Sequence, residues 1–152
     1  MLDLVRHGKA ESSSPDGDFG RRLTAEGPLA LRELGRRILA SGLAPTRVFS
    51  SPLVRARESA RILTAIVAPG IEPEILAALW PEYQPAGVIE ALAEHQVSAG
   101  HAMLVGHLPQ LGELHLLLTD VSLPFDVASL RRVAFSDTLE PHRGRVVSLP
   151  DS

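Results

Sequence analysis

The sequence predicts an α/β fold in which a mainly parallel mixed sheet lies between two layers of helices. Along its 152 residues, short apolar runs alternate with longer segments of helical periodicity. This alternation is typical of a parallel sheet covered on both faces. A chain of this length also forms one domain, so we assign residues 1–152 to a single three-layer sandwich.

The first quarter of the chain predicts one strand, one loop and one helix. Leu2–Val5 is an apolar run of strand length, and residues 9–22 contain the serine, proline and glycine residues of a loop. Thr24 is expected to cap a helix that runs to about Ala40 and ends at Gly42. Its apolar residues recur on one face, at Leu31, Leu34 and Ile38.

The middle of the chain continues the alternation. Arg47–Ser50 predicts a second strand, and Ser51-Pro52 is expected to open a helix with a cap followed by a proline at its first position. Ile71–Leu79 predicts a weak strand, and Ala86–Val97 predicts a third helix.

The last third begins with the third clear strand, His101–Val105, followed by a helix over Leu108–Leu118. The tail predicts two further strands, Leu130–Phe135 and Arg145–Leu149, joined by a turn at Pro141–Gly144.

Composition excludes several classes of protein. The absence of cysteine excludes disulfides, cysteine-bound zinc and a thiol nucleophile. A net charge of −3 argues against nucleic-acid binding. No apolar run approaches the ~20 residues that cross a bilayer, and no signal-peptide pattern opens the chain. We therefore expect a cytoplasmic protein with no membrane partner.

Polar motifs follow three of the predicted strands directly, as Arg6-His7-Gly8, Ser51–Ala56 and Gly106-His107. Ligands bind at the carboxyl ends of strands in such sheets, so neighbouring strands would bring two arginines and two histidines together. Arginine binds phosphate oxygens through a rigid fork of donors, and a neutral imidazole can attack phosphorus. A helix N-terminus adds unpaired N–H groups that suit an anion. The motifs therefore predict a phosphate site.

Together these motifs resemble the histidine phosphatase superfamily, whose fold is phosphoglycerate mutase-like. Ala10, in Arg-His-Gly-x-Ala, and the segment Asp18…Arg21-x-Leu23-Thr24-x-x-Gly27 resemble its branch of short SixA-like phosphohistidine phosphatases. The resemblance extends from Leu2 to about Leu118.

The resemblance implies a role for each matching residue. His7 corresponds to the nucleophile that forms a phosphohistidine enzyme, and Arg6 and Arg55 correspond to the phosphate clamps. His107 corresponds to the second histidine, which hydrogen-bonds the transferring phosphoryl group. Arg21 corresponds to a further basic residue near the pocket, although a solvated loop position explains it equally well. Since side-chain cations can hold the phosphoryl group, we expect neither a metal nor a cofactor.

The general acid that many relatives use for an alkoxide leaving group has no secure counterpart. Asp18 and Glu82 are candidates, but Asp18 also fits a loop-stabilising carboxylate and Glu82 a charge at a helix start. An imidazole, unlike an alkoxide, leaves readily when protonated. A missing acid therefore favours a phosphohistidine substrate.

We predict a phosphohydrolase that dephosphorylates phosphohistidine on a protein, such as a histidine phosphotransfer domain or a phosphocarrier. The alternative within enzymes is a phosphatase of a small phosphorylated metabolite. A non-catalytic phosphoprotein-binding module is a third possibility, and the intact Arg6, His7, Arg55 and His107 argue against it, since a pure binder needs no nucleophile.

Overall fold

The computed structural model describes residues 1–97 and 100–149; the remainder of the predicted domain, residues 98–99 and 150–152, lies outside the described residues. It contains six strands and four helices. The strands are β1 (Leu2–Arg6), β2 (Arg47–Ser50), β3 (Glu74–Ile75), β4 (Ala102–Gly106), β5 (Leu130–Ala134) and β6 (Arg145–Val147). The helices are α1 (Gly27–Ala40), α2 (Val54–Val67), α3 (Pro85–Glu94) and α4 (Gln110–Thr119), with short 3₁₀ turns at Asp18–Gly20 and Ala77–Leu79.

The strands form one mixed sheet in the order β3-β2-β4-β1-β5-β6. The strands β3, β2, β4 and β1 are parallel to one another, whereas β5 and β6 pair in antiparallel fashion at the other edge. The predicted mainly parallel mixed sheet and the α/β fold class are thereby confirmed.

Side chains alternate between the two faces of the sheet and build a hydrophobic core on each. On one face Leu4 and Leu104 pack with the apolar stripes of α3 and α4. On the other face Val5 and Val105 pack with the stripes of α1 and α2. The sheet is therefore the middle layer of three. None of the helices in the described ranges is long and apolar enough to span a membrane.

Three helices begin later than the sequence predicted, the simplest case being α4, which begins at Gln110 and not at Leu108. Thr24 was expected to cap α1, but the helix begins at Gly27, directly after Glu26. The Thr24 hydroxyl instead accepts a hydrogen bond from Gly27 N (3.1 Å) in a turn before the helix. Helix α2 begins at Val54, not at Ser51-Pro52. There the Ser51 hydroxyl accepts from Leu53 N (3.2 Å), so the serine and proline form the turn between β2 and α2.

The predicted strand over residues 71–79 is mostly not a strand. Only Glu74–Ile75 pairs with β2, and the 3₁₀ turn Ala77–Leu79 follows directly. This segment lies at the sheet edge, where one strand partner supports few backbone hydrogen bonds. The sequence placed the other strands correctly to within two residues at either end.

Candidate active site

The carboxyl ends of β1, β2 and β4 meet at one edge of the sheet. Strand β4 lies between the other two, and its pairing sets Arg6 opposite Gly106 and Ser50 opposite Val105. The residue after each strand therefore projects beyond the same edge. There the rings of His7 and His107 lie with their centroids 5.3 Å apart.

These strand ends form the floor of an open cleft with a volume of about 300 Å³. Cations dominate its wall, and no carboxylate lines it among the described residues. The residues that line it are Arg6, His7, Lys9, Ala10, Arg21, Arg55, His107, Leu108 and Val127. Such a lining attracts an anion with several oxygen atoms.

His7 is held in one tautomer and one orientation. Its Nδ1 lies 2.6 Å from the carbonyl oxygen of Gly8, which can only accept, so Nδ1 carries the proton. Its Nε2 accepts a hydrogen bond from Arg55 Nε at 3.3 Å. The unprotonated nitrogen of the ring is therefore Nε2, whose lone pair accepts this bond from a cleft arginine.

Burial lowers the pKa of His7 from 6.5 to about 4. The hydrogen bond to Gly8 opposes this shift, and the positive charges of Arg55, Arg6 and Arg21 add to it. At neutral pH the ring is consequently uncharged, which a nucleophile requires.

Arg55 projects from the first turn of α2 into the cleft and is 5 % exposed. Its Nη1 donates to the backbone oxygen of Asp18 at 2.8 Å, and its Nη2 donates to the Asp18 carboxylate at 3.3 Å. Together with the contact to His7, these bonds fix the guanidinium plane beside the His7 ring.

Arg6 is the last residue of β1 and also lines the cleft. Its Nη1 donates to the carbonyl oxygen of Phe125 at 2.9 Å. Its Nε is buried and has no hydrogen-bond partner within residues 1–97 and 100–149. An oxyanion in the cleft would satisfy such a donor.

His107 follows β4 and is 3 % exposed. Its Nε2 lies 2.5 Å from the hydroxyl oxygen of Ser51. Burial, with smaller contributions from the neighbouring His7 and Arg55, lowers the pKa of His107 to about 3. Both histidines at this site are therefore neutral at physiological pH.

Asp18 and Arg21 lie at the rim, joined to each other and to Arg55. The Asp18 carboxylate contacts Arg21 Nε at 3.0 Å, an ion pair without linear hydrogen-bond geometry, while Arg21 Nη1 donates to Glu11 O at 3.2 Å. Burial alone would raise the pKa of Asp18, but the charges of Arg55 and Arg21 outweigh it and hold that pKa below its ordinary value. An ionised carboxylate bound to two guanidinium groups fits the loop-stabilising role better than that of an acid.

Glu82 lies in an exposed turn before α3 and does not line the cleft among the described residues. Gln110 holds this turn, since its amide donates to the backbone oxygens of Ala78 (2.9 Å) and Tyr83 (2.9 Å). The structure thus brings together Arg6, His7, Arg55, Arg21 and His107, but not Glu82.

Two serines at the site are absent from the sequence prediction of its functional residues. Ser51, interpreted there as a helix cap, instead contacts His107. Ser59 accepts a hydrogen bond from Gly8 N at 3.0 Å and donates to Arg55 O at 2.7 Å, so it ties the turn after His7 to α2. The spacing of Ser59 four residues after Arg55 is the one sequence signal that places both on the same helix face.

Comparison with known proteins identifies a family and a shared fold. The profile of the histidine phosphatase superfamily (branch 1) matches residues 2–103. An uncharacterized protein of Picosynechococcus sp. is 36% identical over 115 residues, which cover 74% of this chain and 68% of that protein.

Solved structures with this fold carry different substrate names. The protein histidine phosphatase SixA complexed with tungstate superposes with a TM-score of 0.86 at 22% identity, over 97% of this chain and 94% of SixA. A putative alpha-ribazole-5'-P phosphatase from Escherichia coli superposes with a TM-score of 0.77 at 16% identity, over 99% of this chain and 96% of that protein. At these identities the likeness is one of fold.

Proposed function

Since the chain belongs to the histidine phosphatase superfamily, we propose that this phosphatase removes the phosphoryl group from phosphohistidine on a protein. A histidine phosphotransfer domain or a phosphocarrier is a substrate of this kind. The observation that carries the proposal is the lining of the cleft: it combines four cations and two neutral histidines, and the carboxylate at its rim, Asp18, is paired with Arg55 and Arg21.

The first step is an attack by His7 Nε2 on phosphorus. The bond between phosphorus and the substrate imidazole breaks, and a bond between phosphorus and Nε2 forms. Arg6 and Arg55 bind the phosphoryl oxygens, where charge must be held during transfer. A substrate ring that carries a proton on its second nitrogen departs as neutral imidazole, so the enzyme needs to supply no proton.

The second step is hydrolysis of phospho-His7. Water attacks phosphorus, the bond to Nε2 breaks, and inorganic phosphate is released. Throughout, Nδ1 keeps its proton on Gly8 O, so the phosphorylated ring is cationic and His7 departs as a neutral imidazole. The intermediate divides one displacement into two easier ones.

The same lining argues against phosphate esters as the substrate. An alkoxide leaves slowly unless an acid protonates it. Asp18, the nearest carboxylate candidate, is committed to Arg55 and Arg21. A small phosphorylated metabolite remains the alternative substrate, and the cleft of about 300 Å³ is at the lower end of the usual size of small-molecule pockets.

The experiment is phosphate release from a phosphorylated histidine phosphotransfer domain and from a panel of alkyl phosphate monoesters, with His7→Ala as the blank. We expect rapid release from the protein, little from the esters and none with His7→Ala. A radiolabelled donor should also leave an acid-labile, base-stable phosphoenzyme in wild type alone. Rapid release from esters with little from the protein would replace the proposed substrate with a metabolite.

A further inference from the structure

We propose that Ser51 is a positioning residue whose hydroxyl holds the neutral His107 ring in the tautomer with the proton on Nδ1. The Nδ1–H group of His107 then donates a hydrogen bond to the phosphoryl group. Ser51 follows β2 and is fully buried, whereas His107 follows the adjacent strand β4. Their side chains meet at 2.5 Å between Oγ and Nε2.

The other hydrogen bonds of Ser51 show which of the two side chains is the donor in this contact. Its oxygen already accepts from Leu53 N at 3.2 Å. Suppose that His107 carried its single ring proton on Nε2 and donated it to Ser51. The Ser51 hydroxyl hydrogen would then have no acceptor among the described residues, and the Nδ1 lone pair would be buried without a donor. Buried polar groups are rarely left in that condition.

The opposite tautomer satisfies the protein and leaves one donor for a ligand. Ser51 then donates to Nε2, and the single unpaired group is Nδ1–H of His107, for which the described residues offer no partner. His107 lines the cleft with its ring centroid 5.3 Å from that of His7, so it lies beside the group that His7 would carry. The unpaired donor is therefore explained by an oxygen of the phosphoryl group.

This arrangement separates the two histidines by role. Gly8 O fixes His7 with Nε2 unprotonated, for attack, while Ser51 fixes His107 with Nδ1 protonated, for donation. Two neutral rings side by side avoid the repulsion that two imidazolium ions would meet beside the arginines.

The test compares Ser51→Ala, which deletes the hydroxyl, with Ser51→Thr, which keeps it. Thr64→Val is the matched control, because it deletes another buried hydroxyl, which donates to Ala60 O within α2 and lies outside the cleft. Three quantities are measured for each protein: the ¹⁵N shifts of the His107 ring, the affinity for tungstate as an oxyanion probe, and kcat and KM with the phosphohistidine protein.

We expect wild type and Ser51→Thr to show a protonated Nδ1 and an unprotonated Nε2 at His107. Ser51→Ala should show mixed tautomers, weaker tungstate binding, and a fall in kcat on the order of 10–100-fold, the range known for partners that orient histidine ligands. KM should change less than kcat, because the hydrogen bond is strongest in the transition state. Thr64→Val should behave as wild type in all three.

A protonated Nε2 at His107 in wild type would overturn the proposal. So would an unchanged kcat in Ser51→Ala, or a loss in Ser51→Thr as large as in Ser51→Ala. Only the kinetic measurement rests on the proposed function: failure of wild type to act on phosphohistidine would refute that substrate, whereas the ring shifts and tungstate affinity judge Ser51 independently.

Discussion

A buried imidazole among arginines stays unprotonated at neutral pH because its surroundings oppose a further positive charge. His7 shows this, since burial is the main cause of its low pKa and three arginines contribute. The arginines proposed to bind the phosphoryl group therefore also help to keep His7 unprotonated. Under the proposed function, the groups that hold the phosphoryl oxygens would thus contribute, after burial, to the low pKa of His7.

The charge state of His7 gives the first prediction at the scale of the residue. With its pKa lowered to about 4, His7 should still be mostly neutral at about pH 5.5, where an ordinary histidine is mostly protonated. The ring-proton NMR shifts of His7, followed against pH beside a histidine peptide, measure this. A midpoint for His7 near that of the peptide would contradict the electrostatic explanation.

Arg55 supports a second prediction, with a control on the same helix. Arg55→Ala should lower kcat/KM on the order of 10²–10³-fold, the usual cost of losing one donor to a transition-state oxygen. Arg61→Ala, which removes an exposed arginine outside the cleft, should leave the kinetics unchanged. Equal effects of the two substitutions on phosphate release would show that Arg55 acts only through general charge.

Sequence motifs were sufficient to find the residues that converge, but not the hydrogen bonds that orient them. Arg6, His7, Arg55 and His107 each stand in a motif after a strand, and parallel pairing places strand ends together. The contact of Ser51 with His107 spans 56 positions of the chain, and no local pattern reports it. The commitment of Asp18 to two arginines likewise depends on how the loop folds back.

At the scale of the element, the N-terminus of α1 determines where the turn after His7 can lie. A methyl group at Gly27 would lie 2.7 Å from the backbone oxygen of Lys9, and one at Gly8 would lie 2.9 Å from Leu31 Cδ1. Two glycines thus let the turn and the helix approach closely. The turn that packs so closely on α1 is the one whose Gly8 O bonds His7 Nδ1.

The prediction for this contact compares two glycine-to-alanine substitutions in helices. Gly27→Ala should destabilise the protein by about 1–3 kcal/mol and lower its activity, because the backbone of Lys9 must shift. Gly87→Ala, in α3 with open space around the new methyl group, should stabilise it by about 0.5–1 kcal/mol. Urea unfolding measures both. A Gly27→Ala protein as stable as wild type would disprove the close contact.

Element boundaries were the weakest part of the sequence interpretation, for a reason visible at α2. Serine followed by proline is a common helix start, yet Ser51 points its hydroxyl at His107 and the helix begins three residues later. Because Ser51 contacts a residue of the site, it does not cap the helix as the Ser-Pro pattern predicts. Periodicity, which depends on many residues, located the helices themselves.

On the scale of the whole molecule, a buried ion cluster joins distant segments of the chain across the sheet. Asp3 on β1 accepts from Arg132 Nε on β5 at 2.7 Å and from Nη2 at 3.0 Å, and it contacts His101 Nε2 at 2.6 Å. Arg132 also donates to Ser41 Oγ at 3.0 Å, after α1. The contact between Asp3 and His101 spans 98 positions of the chain, so no local sequence pattern predicts it.

Keeping two histidines neutral also lowers the stability of the whole fold at acidic pH. In the unfolded chain both titrate near 6.5, whereas in the folded protein the pKa of His7 is about 4 and that of His107 about 3. Between these values the unfolded state binds more protons, so stability is highest above the unfolded pKa and decreases as pH falls below 6.5.

The size of this effect can be measured, because one histidine can be removed at a time. Between pH 6.5 and 5, a span of roughly 1.5 units, each histidine should lower the free energy of unfolding by about 2 kcal/mol, at about 1.4 kcal/mol per pH unit. His7→Asn keeps a polar side chain but cannot titrate, so its free energy of unfolding should fall about 2 kcal/mol less than that of wild type between pH 7 and 5. Urea unfolding at both pH values gives the comparison. Equal losses in the two proteins would mean that His7 is protonated as readily in the fold as in the unfolded chain, and that burial does not keep the nucleophile neutral.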